Sequence, residues 1–191
     1  YCQNYRISQE GLGKAISAGR LAEIFLELQQ KGAKNLNLVT ATQWLPWITE
    51  ALDQARAQGL RLPVVYNTGG YETVDTVRAL AGYVDIWLAD YKYASPALAQ
   101  QLSAAADYPA VADAAIRQMR VQTGAPVFDG GGFLKRGVIV RHLVLPGHSE
   151  DSIAVLRRCD ALRKETGVEF VPSLMSQFTP FHRAAEQGLA R

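Results

Sequence analysis

Cysteine is scarce in this chain. Two residues, Cys2 and Cys159, stand near its opposite ends, which makes a poor disulfide framework and fits a reducing, cytoplasmic setting. Long apolar runs are also missing: none approaches the ~18 residues a membrane-spanning helix needs, and no basic segment followed by an apolar one opens the chain as a secretory signal would. Nor does charge of one sign dominate. The net charge is +2, with basic residues scattered apart from the pairs Arg157-Arg158 and Arg163-Lys164, so no nucleic-acid partner is expected. The absence of a linker rich in Pro, Gly or Ser predicts one domain over residues 1–191.

What is present is an ordinary globular composition, 48% apolar and 20% charged, in a chain long enough to bury a core without staples. Helices and strands alternate. Ser17 can cap a helix with Leu21, Ile24, Phe25 and Leu28 on one face, ending at Gly32, and Pro46 opens a second that runs through Ile48, Leu52 and Ala55 to Gly59. Val74, Val77 and Leu80 mark a short helix; others are predicted about Pro96 to Ala105, Pro109 to Gln122 and Ser149 to about Thr166. Between them lie five strand candidates: Asn35 to Thr40, Leu62 to Asn67, Val84 to Ala89, Val138 to Leu145 and Val168 to Leu174. Residues 124–137, with Gly130-Gly131-Gly132, read as a loop or irregular hairpin. Mostly apolar strands alternating with helices predict parallel βα units with both sheet faces covered.

Parallel βα folds bind ligands at the carboxyl ends of their strands. Those exits carry Thr40-Ala41-Thr42, Tyr66-Asn67-Thr68-Gly69, Asp90-Tyr91-Lys92, Pro146-Gly147-His148 and Ser176-Gln177, mostly polar or backbone-exposing groups behind apolar strands. Arg141 stands inside an apolar strand, where a buried guanidinium requires an anionic partner. Plainer roles compete: Thr42 or Thr68 as helix caps, Asn67-Thr68-Gly69-Gly70 as a turn, Asp90 with Lys92 as a surface ion pair. Cys159 falls in the amphipathic run Ile153, Leu156, Cys159, Leu162, the pattern of a buried hydrophobe. Cys2 sits in a polar loop and has the better claim to chemistry.

Tyr1-Cys2-Gln3-Asn4-Tyr5 resembles the tail of the CxxxCxxC loop of radical SAM enzymes. The strand-exit blocks through Leu174-Met175-Ser176-Gln177-Phe178 resemble, in order, a subfamily related to pyruvate formate-lyase activating enzymes. The likeness runs from Tyr1 to about Pro180. It implies a partial (β/α)6 TIM-like barrel whose first strand lies before Tyr1, a 4Fe-4S cluster and S-adenosyl-L-methionine. It also implies reductive cleavage to a 5'-deoxyadenosyl radical that abstracts hydrogen, with a glycyl radical enzyme as protein substrate and flavodoxin or ferredoxin as electron donor.

On this resemblance Cys2 matches the third cluster ligand, with Tyr1 and Gln3 beside it on the cofactor. Thr40-Ala41-Thr42 takes the place of a Gly-Gly-Glu motif that meets the methionine amino group, without its carboxylate. Asn67 and Thr68 face the methionine or ribose, Asp90 and Lys92 the ribose and carboxylate, Arg141 the carboxylate; Gln177 replaces a histidine near the adenosine, and Met175 contacts the adenine. One cysteine cannot hold the cluster, so the expectation is an N-terminally incomplete core, inactive by itself, whose other two cluster cysteines lie upstream, or else an inactive polypeptide. Two alternatives stand beside it: an α/β barrel enzyme using Lys92 as a Schiff-base lysine tuned by Asp90, and a non-catalytic adenosine-binding module.

Overall fold

The computed structural model describes residues 13–180. Each helix begins where the sequence supplies a start signal. The Ser17 side chain accepts from Arg20 N ahead of α1 (Ala18–Gln30), and Gly32, at φ +81°, follows its end. Strand β1 (Leu36–Val39) leads through a 3-10 turn (Thr42–Trp44) into α2 (Leu45–Ala57), where Pro46 occupies the first turn. Its residues Ile48, Ala51, Leu52 and Ala55, all buried, fall on one face at helical spacing.

Strand β2 (Val64–Thr68) is followed by α3 (Val74–Ala79), capped by Thr73, and β3 (Ile86–Asp90) by α4 (Pro96–Ser103), capped by Ser95. Then come α5 (Tyr108–Thr123), β4 (Val127–Phe128), β5 (Leu134–Leu143), α6 (Ser149–Thr166) and β6 (Val171–Met175).

The five expected strands are all present and pair in parallel in the order β1-β2-β3-β5-β6. Residues 124–137 form the irregular hairpin expected of them: β4 pairs antiparallel, with a register shift, with the first part of β5. Two bounds differ from expectation. The strand expected over Val138 to Leu145 runs from Leu134 to Leu143, because its first residues pair with β4. The last strand begins at Val171 rather than Val168, because only from Val171 does it find register partners on β5.

The order advances in one direction, so right-handed connections carry every helix to the same face of the sheet. Burial agrees. Val64 and Tyr66, Trp87 and Ala89, Val138 and Val140 join residues from all six helices in one hydrophobic cluster. Trp87 and Tyr66 are fully buried and their rings pack at 5.2 Å; full burial of side chains this large contributes about 2–3 kcal/mol each. The alternating residues Val65, Asn67, Leu88, Asp90, Ile139 and Arg141 therefore point to the opposite face. The architecture is mixed α/β with a six-stranded, predominantly parallel sheet. Among the described residues β1 and β6 do not pair, and the sheet is open.

Candidate functional site at the strand exits

The face of the sheet that carries no helix among the described residues bears a charged cluster where β2, β3 and β5 end. Asp90 and Arg141 are register partners on neighbouring strands. The Arg141 guanidinium donates from Nε to Asp90 Oδ1 at 2.8 Å and from Nη2 to Asn67 Oδ1 at 2.8 Å. Nη2 also lies 2.7 Å from Asp90 Oδ1, with both side chains a little over a fifth exposed. The anionic partner that Arg141 requires is thus Asp90. Lys92 Nζ stands 3.9 Å from Asp90 Oδ2, so two cations share one carboxylate.

The backbone around the cluster is pinned by one phenol. Tyr108 Oη accepts from Lys92 N–H at 2.9 Å and lies 2.9 Å from both Gly69 O and Asp90 O, either of which can take its single proton. Burial pushes the Tyr108 phenol well above its ordinary range, so it keeps that proton. Tyr71 stacks on its ring at 6.0 Å, and Tyr93 meets it edge-on at 5.4 Å. Gly70, at φ +79°, presses against Asp90 O where any Cβ would collide. The exits of β2 and β3 are therefore held as one unit.

A second cluster joins the exits of β1 and β2. Thr42 Oγ1 donates to Glu72 Oε1 at 2.8 Å, Thr68 Oγ1 donates to the same oxygen at 2.7 Å, and Thr42 Oγ1 lies 2.9 Å from Tyr66 Oη. Burial raises the Tyr66 phenol to about 12. Neither threonine is an N-cap of an α-helix; Ser17, Thr73 and Ser95 cap by side chain instead. Glu72, 7% exposed, is the residue sequence reasoning missed. It follows a Gly-Gly turn and precedes the Thr73 cap, and only its burial marks it out. Thr40 is exposed and takes φ +47°, an uncommon conformation for a β-branched residue, with its N–H donating to Asn67 O at 2.8 Å. Ala41 is buried and precedes the 3-10 turn.

Met175 ends β6 opposite Leu143, and exposed Gln177 follows two residues on, at the same edge of the sheet. Tyr1, Cys2 and Gln3 lie outside the described residues. Cys159 is buried, and desolvation raises its thiol to about 11, as a structural hydrophobe requires. His142 is structural too: its Nδ1 donates to Tyr91 O at 2.7 Å and its Nε2 faces Ser152 Oγ at 2.9 Å.

The fold and these exits define an α/β protein with a polar, charge-bearing strand edge. No family model matches the chain. It is similar to the uncharacterized protein MJ0674 of Methanocaldococcus jannaschii, 26% identical over 201 residues that take in 97% of this chain and 52% of the relative. The chain spans about half the length of that curated relative.

Proposed function

We propose that this chain is the core of a radical SAM enzyme of the pyruvate formate-lyase activating type, a partial barrel of βα units that binds S-adenosyl-L-methionine across its strand exits. The observation that carries the reading is Arg141, held by Asp90 and Asn67 from two neighbouring strands with Lys92 close by. Such a guanidinium is pre-oriented for a carboxylate, and the Asp90 and Asn67 oxygens beside it suit ribose hydroxyls. A second support is Thr40. Its left-handed φ falls where the Gly-Gly-Glu motif of the resembling family has its first glycine, the residue that adopts this conformation without strain.

The described residues fit the cosubstrate and not the cluster. Among them no group of three or more His, Cys, Asp or Glu is placed to hold a metal, and Cys159 is a sealed thiol. A 4Fe-4S cluster, when bound, supplies the electron that opens the sulfonium; Cys2 and upstream cysteines would hold it. What these residues themselves do is bind and orient: Arg141 takes the carboxylate, Asp90 and Asn67 the ribose, Met175 and Gln177 the adenosine. The physiological partners of this reading are a glycyl radical enzyme and a flavodoxin or ferredoxin.

Lys92 is a weaker candidate for Schiff-base chemistry. It is about a third exposed and beside a carboxylate, unlike the desolvated pocket such a lysine needs.

The test is anaerobic reconstitution of the full-length protein, with 5'-deoxyadenosine measured under reducing conditions. Release of 5'-deoxyadenosine that Arg141→Ala abolishes supports the reading. Failure to load iron with all upstream cysteines present sinks it.

A further inference from the structure

Between the end of β3 at Asp90 and the start of α4 at Pro96, residues 91–95 belong to neither a strand nor a helix. Tyr91 N–H still reaches Arg141 O at 2.7 Å. Beyond it, side chains from three other elements hold the connection. Tyr108 of α5 takes Lys92 N–H at 2.9 Å, and His142 of β5 donates from Nδ1 to Tyr91 O at 2.7 Å. Asp151 of α6 accepts from Ser95 N–H on Oδ1 at 2.7 Å and from Ala94 N–H on Oδ2 at 3.2 Å.

An acid in the first turn of a helix ordinarily serves that helix's own dipole and free N–H groups. Both bonds of Asp151 go instead to a connection 56 and 57 positions earlier in the chain, while exposed Glu150 shares its turn. Ser152, the next residue of α6, is buried and meets Nε2 of His142 at 2.9 Å. Tyr91 O can only accept, so Nδ1 carries a proton, and the neutral ring takes the Ser152 hydroxyl proton on Nε2. Two successive residues of one helical turn thus reach the two ends of the connection, Asp151 directly and Ser152 through His142.

We infer that the first turn of α6 positions the β3 exit for the cosubstrate, with Asp151 and His142 as positioning residues, an assignment that rests on the S-adenosyl-L-methionine reading above. Asp90 borders the held connection and Lys92 lies within it. Arg141 precedes His142, and neighbours along a strand point to opposite faces of the sheet. The imidazole on one face and the Asp90–Arg141 pair on the other therefore clamp the last paired residues of β3 and β5. A connection left free would have to be ordered as the ligand binds, and that ordering would weaken binding.

The experiment is calorimetry of S-adenosyl-L-methionine binding to the reconstituted full-length protein, below the melting midpoint of every variant, together with hydrogen exchange across residues 91–95. Asp151→Ala is expected to weaken binding by about tenfold and to speed exchange at Ala94 and Ser95. Asp151→Asn should fall between it and wild type, and Glu150→Ala, in the same turn, should change neither. His142→Leu should weaken binding likewise, and His142→Asn, whose side-chain N–H can replace Nδ1–H at Tyr91 O, should restore it. Wild-type affinity in Asp151→Ala, whatever its exchange, overturns the assignment, since the bonds would then serve the fold alone. An equal loss in Glu150→Ala overturns it too, by marking a charge effect of the helix end. Either result leaves the cosubstrate reading standing, whereas no binding by wild type overturns both. Should Asp151→Ala or His142→Leu fail to fold, Asp151→Asn, at a partly exposed position, decides by its own affinity and exchange.

Discussion

Asp90 and Arg141 face each other across β3 and β5 in exact register, and Nε of the arginine lies 2.8 Å from Oδ1 of the aspartate. Sheet register brings the two residues side by side, and the bonds to Asp90 and Asn67 then hold the arginine side chain against its rotamer entropy.

Removing one partner strands the other in a partly buried position. Arg141→Met is expected to cost about 1–3 kcal/mol, and Asp90→Asn a similar amount, with the double variant losing less than the sum. Denaturant titration of all three checks this. Strictly additive losses would mean the pair is not coupled.

Gly70 packs its α-carbon against the Asp90 carbonyl at φ +79°. Gly70→Ala must displace the β3 exit or unwind its own turn, at a cost of about 2–4 kcal/mol. A melting temperature lower by roughly 5–10 °C is the expected readout. Wild-type stability in this variant would show that the two loops do not touch in solution.

Arg120 is fully buried on α5, and its Nε, Nη1 and Nη2 have no hydrogen-bond partner among the described residues; its guanidinium lies over the Phe170 ring at 4.8 Å. Desolvation lowers its pKa, the sign of a charge held at a cost. The ring contact returns about 1–2 kcal/mol, less than the burial of an unpaired guanidinium costs. Arg120→Met should therefore raise the melting temperature by about 2–6 °C. A fall would show that the guanidinium is satisfied by a group beyond the described residues.

Cys159 makes stability depend on alkaline pH. Burial raises its thiol from 9.0 to about 11. The folded state holds a proton that the unfolded chain releases, so this contribution is full below about 9 and is lost as pH rises toward 11. Cys159→Ala should flatten the decline over that window in a pH series of denaturant midpoints. At pH 8 the native thiol should resist alkylation and react only on unfolding. Rapid modification of Cys159 in the native protein would contradict its burial.

The sequence by itself determined the succession of elements, because the signals involved are local. Ser17 caps α1 and Pro46 opens α2, each within a turn of chain; of the run Ile153, Leu156, Cys159, Leu162 only Cys159 and Leu162 are buried, with Ser152 and Val155, while Ile153 and Leu156 are exposed. It also brought Asn67 and Asp90 to strand ends, and it set Arg141 inside an apolar strand, where it required an anion. It could not name that anion or find Glu72. Those answers join residues 30, 51 and 74 positions apart. The register of parallel strands decides such pairs, and register is set by packing across the whole sheet rather than by any neighbour in the chain. The same holds for Arg120, which reads as one more polar residue of a helix until α6 and Phe170 close over it.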